Sequence, residues 1–194
     1  MIYVRDDDVL IPDKGGLERF RRYHELICSN PRFLHRAAIL VTEIQTVPGA
    51  VEYVYDEWDK GRLFLELHGL EHVDYGAMPK HKVIDHLHKA LEWMRPACPG
   101  RWYTPWGSTQ PHLHEAAKEV GLELVDCSNI IKLRGRNGAV DILREGRDLD
   151  YFENKELFTH YWEKGNRLQR IVNFEQYGSW KAVTEVFGMG GEQV

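Results

Sequence analysis

"IYVRDDDVL", residues 2–10, sets three adjacent aspartates at the end of an apolar run. Ile2 to Arg5 reads as a strand. Neighbouring carboxylates repel one another, and aspartate is a poor strand former. Side chains alternate between the two faces of a strand, so the three cannot all simply face water. Two readings are open: a solvated turn after the strand, or a metal or acid/base site at its carboxyl end. Partners elsewhere in the chain decide between them.

Outward from this stretch the chain alternates strand-like and helix-like segments. "GGLERFRRYHELICS" has Leu17, Phe20, Leu26 and Ile27 at helical spacing, and "AAILVTEIQ" (37–45) reads as a buried strand. "GAVEYVYDEWDKG" is a short helix closed by Gly61, and "RLFLELH" (62–68) alternates Leu63, Leu65 and Leu67 as a strand. "KHKVIDHLHKALEWMR" sets Val83, Leu87, Leu91 and Met94 on one helical stripe that Pro96 stops. "RWYTPWG" is an extended aromatic segment broken by Pro105. "STQPHLHEAAKEVG" is a helix with Ser108 as N-cap and Gly121 at its end. "LELVDCSNIIKL" offers one or two short strands, "KELFTHYWE" a further strand and loop, and "NRLQRIVNFEQYG" a final helix. Strands separated by helices predict a mostly parallel sheet, open or closed into a barrel, with its active site at the carboxyl ends of the strands. No linker or repeat divides the sequence, so residues 1–194 are expected to form a single domain.

Composition narrows the partners. The chain has 194 residues, 43% of them hydrophobic, 28% charged, with a net charge of -5. That charge gives no electrostatic reason to expect nucleic acid or an anionic membrane. No apolar run approaches the ~20 residues of a membrane span. "MIYVRDDDVLIPDK" lacks the basic-then-apolar pattern of a signal peptide, so a cytoplasmic location is expected unless a leader lies outside this sequence. Cys28, Cys98 and Cys127 are widely spaced, with no Cys-x-x-Cys pair, and read as buried free thiols.

Ten histidines carry more information. His68 and His72, four apart, follow directly on the strand that begins near Leu63. They can reach one metal ion if a tight turn joins them, and Gly69 suits such a turn. His160 stands at another predicted strand end. The "HLH" pairs at 86–88 and 112–114, with His24, His35 and His81, read as surface or partly buried structural histidines. Two imidazoles and one carboxylate leave open positions on a divalent ion, which suits catalysis rather than a closed structural site.

"VRDDDV", "HGLEH", "YTPWG" and "LFTHYW", in that order, resemble the ordered motifs of the polysaccharide deacetylases, carbohydrate esterase family 4. The likeness runs from residue 4 to about residue 162. It implies an irregular (β/α) barrel, seven-stranded, of the α/β class. It implies Asp7 as general base, Asp8, His68 and His72 as metal ligands, and His160 as general acid. A register one residue earlier would give the first two roles to Asp6 and Asp7. Arg5, Tyr103, Pro105, Trp106 and Trp162 become substrate-binding candidates: Tyr103 and Trp106, with Trp102, as surfaces for a sugar ring, Trp102 reading equally as core, and Trp162 as a wall of an acyl pocket. A backbone N–H near Trp106 would help to stabilise the oxyanion.

The implied activity is removal of acetyl groups, N- or O-linked, from a carbohydrate, with one divalent ion as cofactor. Zinc is the first expectation; cobalt, nickel and iron suit the same ligands. The bond attacked is a carbon–nitrogen amide, not a peptide bond. Two alternatives stand beside it: a metal-dependent amidohydrolase of a small molecule, and a carbohydrate-binding protein without turnover. The sequence departs from the family pattern at Val9, where glycine is usual, and at Gly69, where serine or threonine is usual. It departs again at Tyr103, where the family has arginine; Arg101, two residues earlier, is one candidate to replace that guanidinium. Val125-Asp126-Cys127 only faintly resembles the family's fourth motif.

Overall fold

The structure is a computed structural model that describes residues 1–9, 16–125, 130–132 and 156–159. Its elements are β1 (Ile2–Val9), α1 (Gly16–Cys28), β2 (Phe33–Leu40), α2 (Val41–Ile44), α3 (Ala50–Asp59), β3 (Leu63–Gly69) and α4 (Lys80–Trp93). They continue with β4 (Arg101–Trp102), α5 (Pro111–Glu119), β5 (Glu123–Leu124), β6 (Ile130–Lys132) and β7 (Glu156–Thr159). The final helix expected around Leu168 lies outside the described residues.

All seven strands pair in parallel in one curled sheet, in the order β5-β4-β3-β2-β1-β7-β6. Taken as a ring, this is chain order, interrupted once between β5 and β6. That is the strand order of a (β/α) barrel left open at one seam, since no β5–β6 pairing occurs among the described residues. The expected barrel order is therefore present, and the described residues show it as a curled, open sheet.

The sheet's faces differ in kind. Ile2 and Val4 of β1, Phe33, Ala37 and Ile39 of β2, Leu63, Leu65 and Leu67 of β3, Trp102 and Leu157 form one face, all buried in the core. Phe20 and Ile27 of α1, Val54 of α3, Val83 and Leu87 of α4 and Leu113 of α5 pack in the same cluster. Burying each such aliphatic chain contributes roughly 1.5–3 kcal/mol. The other face carries charge. Arg36 lies 3.7 Å over the Tyr3 ring and 4.0 Å from Glu66, and the Glu66 carboxylate accepts the Arg101 backbone N–H at 3.2 Å. Barrel interiors are more often filled with branched aliphatic side chains.

Several elements differ from the sequence reading. The strand opened by Ile2 runs on to Val9, so the aspartates lie within it rather than after it. Asp6 pairs with Ala37 and Val9 with Ile39, so β1 advances three residues while β2 advances two. The extra residue is a β-bulge at Asp7-Asp8. The strand read at 37–45 begins at Phe33 instead and stops at Leu40. Val41 to Ile44 turn into a helix despite their β-branched content, because Thr42 N–H and Oγ1 both donate to the Leu70 carbonyl, at 3.0 and 2.9 Å. The N-cap position of α5 is Gln110, without a side-chain capping bond, rather than Ser108, because Pro111 fixes the first turn. Cys28 is half-buried and Cys98 exposed, not buried as expected; Cys127 lies outside the described residues.

His24 and His35 are fully buried, not surface residues. Their Nδ1 atoms lie 2.8 Å apart, and His24 Nε2 lies 3.1 Å from Glu57 Oε2. A carboxylate can only accept, so His24 donates from Nε2 and its Nδ1 accepts from His35 Nδ1–H. Both rings are then neutral, and His35 Nε2 has no hydrogen-bond partner among the described residues. A proton arriving there would be buried unsolvated. Burial holds both rings below the usual histidine value, and at His35 the neighbouring His24 adds to the effect. At His24 the hydrogen bond to Glu57 opposes burial without overcoming it. Tyr23, Tyr53, Cys28 and Arg62 surround the pair.

The unfolded chain binds these protons near pH ~6.5 while the folded chain resists them. Stability is therefore fully present above pH ~6.5 and falls below it, by at most about 1.4 kcal/mol per pH unit for each ring. Thermal melts between pH 8 and pH 5 are expected to show this decline, and His35→Leu to flatten it. A wild-type melting temperature that does not fall over this range would contradict the assignment.

Candidate active site at the carboxyl ends of β1, β3 and β4

Three strand ends supply the site. From β1 come Arg5, Asp6 and Asp7, all buried. Arg5 forks onto Asp7 as an ion pair: Nη2 donates to Oδ2 at 3.3 Å, and Nε lies 3.0 Å from Oδ1 as a close contact rather than a hydrogen bond. By strand alternation Asp6 falls on the face of Ile2 and Val4, opposite to Arg5. Asp8 belongs to the strand, but its side chain lies outside the described residues. Thr159, the last residue of β7, pairs with Asp6; His160 and Trp162 follow it in sequence and lie outside the described residues.

His68 is the penultimate residue of β3, only 3% exposed. Its Nδ1 is 2.5 Å from the Tyr103 carbonyl oxygen. A carbonyl only accepts, so Nδ1 carries the proton and the neutral ring keeps its lone pair on Nε2. Histidines that bind metal through one nitrogen usually donate from the other in this way. The His72 ring centroid lies 5.7 Å away. A bend, not a helical turn, joins the two rings.

Gly69 serves this bend, though not through the backbone freedom expected of it. A Cβ there would stand 2.8 Å from the Tyr75 hydroxyl and 3.0 Å from its ring. Tyr75 is wholly buried, accepts the Leu70 N–H at 2.9 Å and packs edge-on against Trp102. Burial pushes its phenol up to about 12, so it stays neutral. A serine or threonine at 69 has no room.

Tyr103 and Trp106 frame the third side. Tyr103 N–H donates to the Leu67 carbonyl at 2.8 Å, the ring supports Arg5 at 4.1 Å, and the hydroxyl faces Arg101 Nη1 at 3.4 Å. Arg101 also pairs with Glu123 at 3.4 Å. Pro105 is buried and starts a single tight turn. At that turn Trp106 takes a left-handed backbone, φ 57°, and stands 68% exposed with its ring 4.5 Å from that of His72. A left-handed non-glycine residue costs roughly 1–2 kcal/mol, so this exposed indole is held in place at a price in stability. Trp102, expected equally as core or sugar surface, is core, and its Nε1 donates to the His68 carbonyl at 3.1 Å.

The structure thus brings Arg5, Asp7, His68, His72, Tyr103 and Trp106 into one connected set of contacts. Among the described residues no group of three His, Cys, Asp or Glu side chains is gathered as a metal site. The two imidazoles suit a divalent ion by donor chemistry and by the tautomer of His68, and the third expected donor is Asp8. Sequence reading missed Tyr75, whose only signal was the departure at Gly69.

No protein-family profile matches the chain, and no curated protein matches it. Solved structures do. A family 4 carbohydrate esterase from Streptomyces lividans superposes with TM-score 0.60 at 12% identity, over 97% of this chain and 88% of that one. The chitin deacetylase of Colletotrichum lindemuthianum gives 0.61 at 11% identity, over 90% and 80%. A family 4 pseudoenzyme from Bacillus anthracis gives 0.61 at 10% identity, over 98% of this chain and 61% of that one.

The chain has the family 4 carbohydrate esterase fold. At these identities the likeness concerns the fold alone, and its neighbours include both enzymes and a pseudoenzyme.

Gly69→Ser is expected to lower stability by about 1–3 kcal/mol through overpacking against Tyr75. Urea unfolding measures it, and Gly100→Ser, at an exposed glycine with neither a steric neighbour nor a left-handed backbone, is the control. Equal losses in the two variants would remove Tyr75 as the cause.

Proposed function

We propose that this chain is a metal-dependent hydrolase that removes an acetyl group from a carbohydrate. The observation that carries the reading is the convergence on Tyr103: its ring supports the Arg5–Asp7 pair and its carbonyl fixes the tautomer of His68. His68, His72 and Asp8 would hold the ion, and Asp7 would act as base. His160 would act as acid, with Pro105, Trp106 and Trp162 lining the sugar.

The chemistry a divalent ion, zinc before cobalt, nickel or iron, supplies in such a place is Lewis acidity toward water and an acyl carbonyl. Asp7 takes the proton from the attacking water; the Arg5 fork aims its oxygens. His160 returns a proton to the departing nitrogen or oxygen, without which the amine is a poor leaving group. A backbone N–H near Trp106 faces the developing oxyanion. The exposed Trp106 indole offers a flat surface to a pyranose ring. We further propose that the seven strands complete an irregular barrel around this site, within one domain.

A second reading, binding without turnover, is favoured by one finding: the fold neighbours include a pseudoenzyme. A third, hydrolysis of a small-molecule amide, uses the same groups.

Purified protein is expected to contain about one divalent ion per chain by elemental analysis, and His68→Ala/His72→Ala to contain none. Release of acetate from acetylated chitooligosaccharides, against release from small acetamides, then separates the first and third readings. Bound ion and bound glycan with no acetate released supports the second. No ion bound after incubation with zinc, cobalt and nickel overturns the metal assignment.

Trp106→Gly is expected to raise stability by ~0.5–1 kcal/mol, since glycine adopts the left-handed backbone freely. It is also expected to weaken chitooligosaccharide binding at least about tenfold, the order of a lost aromatic contact. Calorimetric titration and urea unfolding read the two effects; unchanged affinity would leave Trp106 without a role in binding.

A further inference from the structure

We propose that Arg5 is the positioning residue of this site, and that Tyr103 is the partner this placement demands: the guanidinium has moved to β1, and the residue facing it has become a neutral platform. The inference rests on Asp7 acting as the base. Arg5 is 3% exposed and pairs with Asp7 through one hydrogen bond, Nη2 to Oδ2, and one close ion-pair contact, Nε to Oδ1, so it orients the carboxylate as well as balancing its charge. Its other face lies 4.1 Å from the centroid of the Tyr103 ring. That contact is a cation–π stack in a water-poor setting, where it is worth most.

Tyr103 is itself immobile. It is 3% exposed, its N–H is tied to Leu67, and its carbonyl is tied to His68. Arg5 is thereby referenced to the same residue that orients His68, and the base and the imidazole share one anchor. Two other nearby guanidiniums are engaged elsewhere: Arg36, the register partner of Arg5 on β2, with Tyr3 and Glu66, and Arg101, a third exposed, at the hydroxyl end of the Tyr103 ring and with Glu123.

Why tyrosine at 103 follows from charge. Asp7 can balance one buried guanidinium. An arginine at 103 would set a second against the first, and like charges in a dry site repel strongly. Arg5 and an aromatic residue at 103 therefore go together, and each alone is a fault. This makes a prediction that a merely structural arginine does not make.

The test is a double-mutant cycle in the full chain, with Arg5→Met, Tyr103→Arg and the two combined. Each single variant is expected to lower the melting temperature, and Arg5→Met to lower kcat about 100-fold, as a misaimed base does, with KM within about threefold. The combined variant is expected to recover both quantities above either single variant, kcat by at least about tenfold, because the guanidinium is restored from the other strand. Zinc alone, titrated calorimetrically, is expected to bind Arg5→Met within about threefold of wild type, since the effect passes through Asp7.

A combined variant no better than the worse single variant overturns the proposal, and so does loss of zinc binding in Arg5→Met. If the wild type releases no acetate from any substrate, the functional reading fails, but the melting temperatures still decide this one. Should Arg5→Met not fold, Arg5→Lys, which keeps the charge and loses the fork, replaces it with the same two outcomes.

Discussion

Tyr103 makes three contacts at once, two through its backbone and one through its aromatic ring. Its carbonyl accepts from His68, its ring carries Arg5, and its amide closes onto β3 at Leu67. Through Arg5 it reaches Asp7 on β1. The strand that precedes it is only two residues long, Arg101–Trp102, so these contacts, and the Trp102 indole on the His68 carbonyl, fix the end of β4 more firmly than its pairing does. Geometry across β1, β3 and β4 follows from that one position.

The division of labour between the sheet's faces explains how such a site is affordable. Apolar residues gather on the helix-facing side, where Leu63, Leu65 and Leu67 alternate without interruption. The opposite side holds arginines and carboxylates in pairs, Arg5 with Asp7 and Arg36 with Glu66. Buried pairs of this kind add little net stability, because desolvation offsets their attraction. Stability is drawn from one face and the charge needed for chemistry is held on the other. Exceptions on the apolar side include Asp6 and the pair His24 and His35, whose neutral rings answer to pH instead.

Much of this was legible in the sequence. Period-two leucines marked β3, helical stripes marked α1 and α4, and the spacing of His68 and His72 marked their strand end. What escaped has physical causes. The bulge at Asp7-Asp8 is an offset between two strands, and no single segment encodes it. Val41 to Ile44 have strand propensity that a tertiary bond from Thr42 to Leu70 overrides. Ser108 is a good cap by type, but Pro111 decides where α5 starts. Arg5 looked like a simple partner for a carboxylate; that it also lies on Tyr103 depends on residues 98 positions apart meeting, which periodicity cannot show. Gly69 was noticed for the right position and the wrong reason, since its neighbour Tyr75 lies across a loop.

The fold by itself does not decide turnover, because structures of this shape include a chitin deacetylase and a pseudoenzyme at nearly equal similarity. The deciding quantities are local. A scaffold retained only for binding has no need to keep a carboxylate gripped at both oxygens by a buried arginine, since each group costs several kcal/mol to desolvate. Nor does it need a histidine whose proton is committed to a carbonyl. Trp106, by contrast, serves binding and turnover equally. The Arg5–Asp7 pair and the His68 tautomer are therefore the features that weigh toward an enzyme, and the strained indole beside them weighs only toward a ligand.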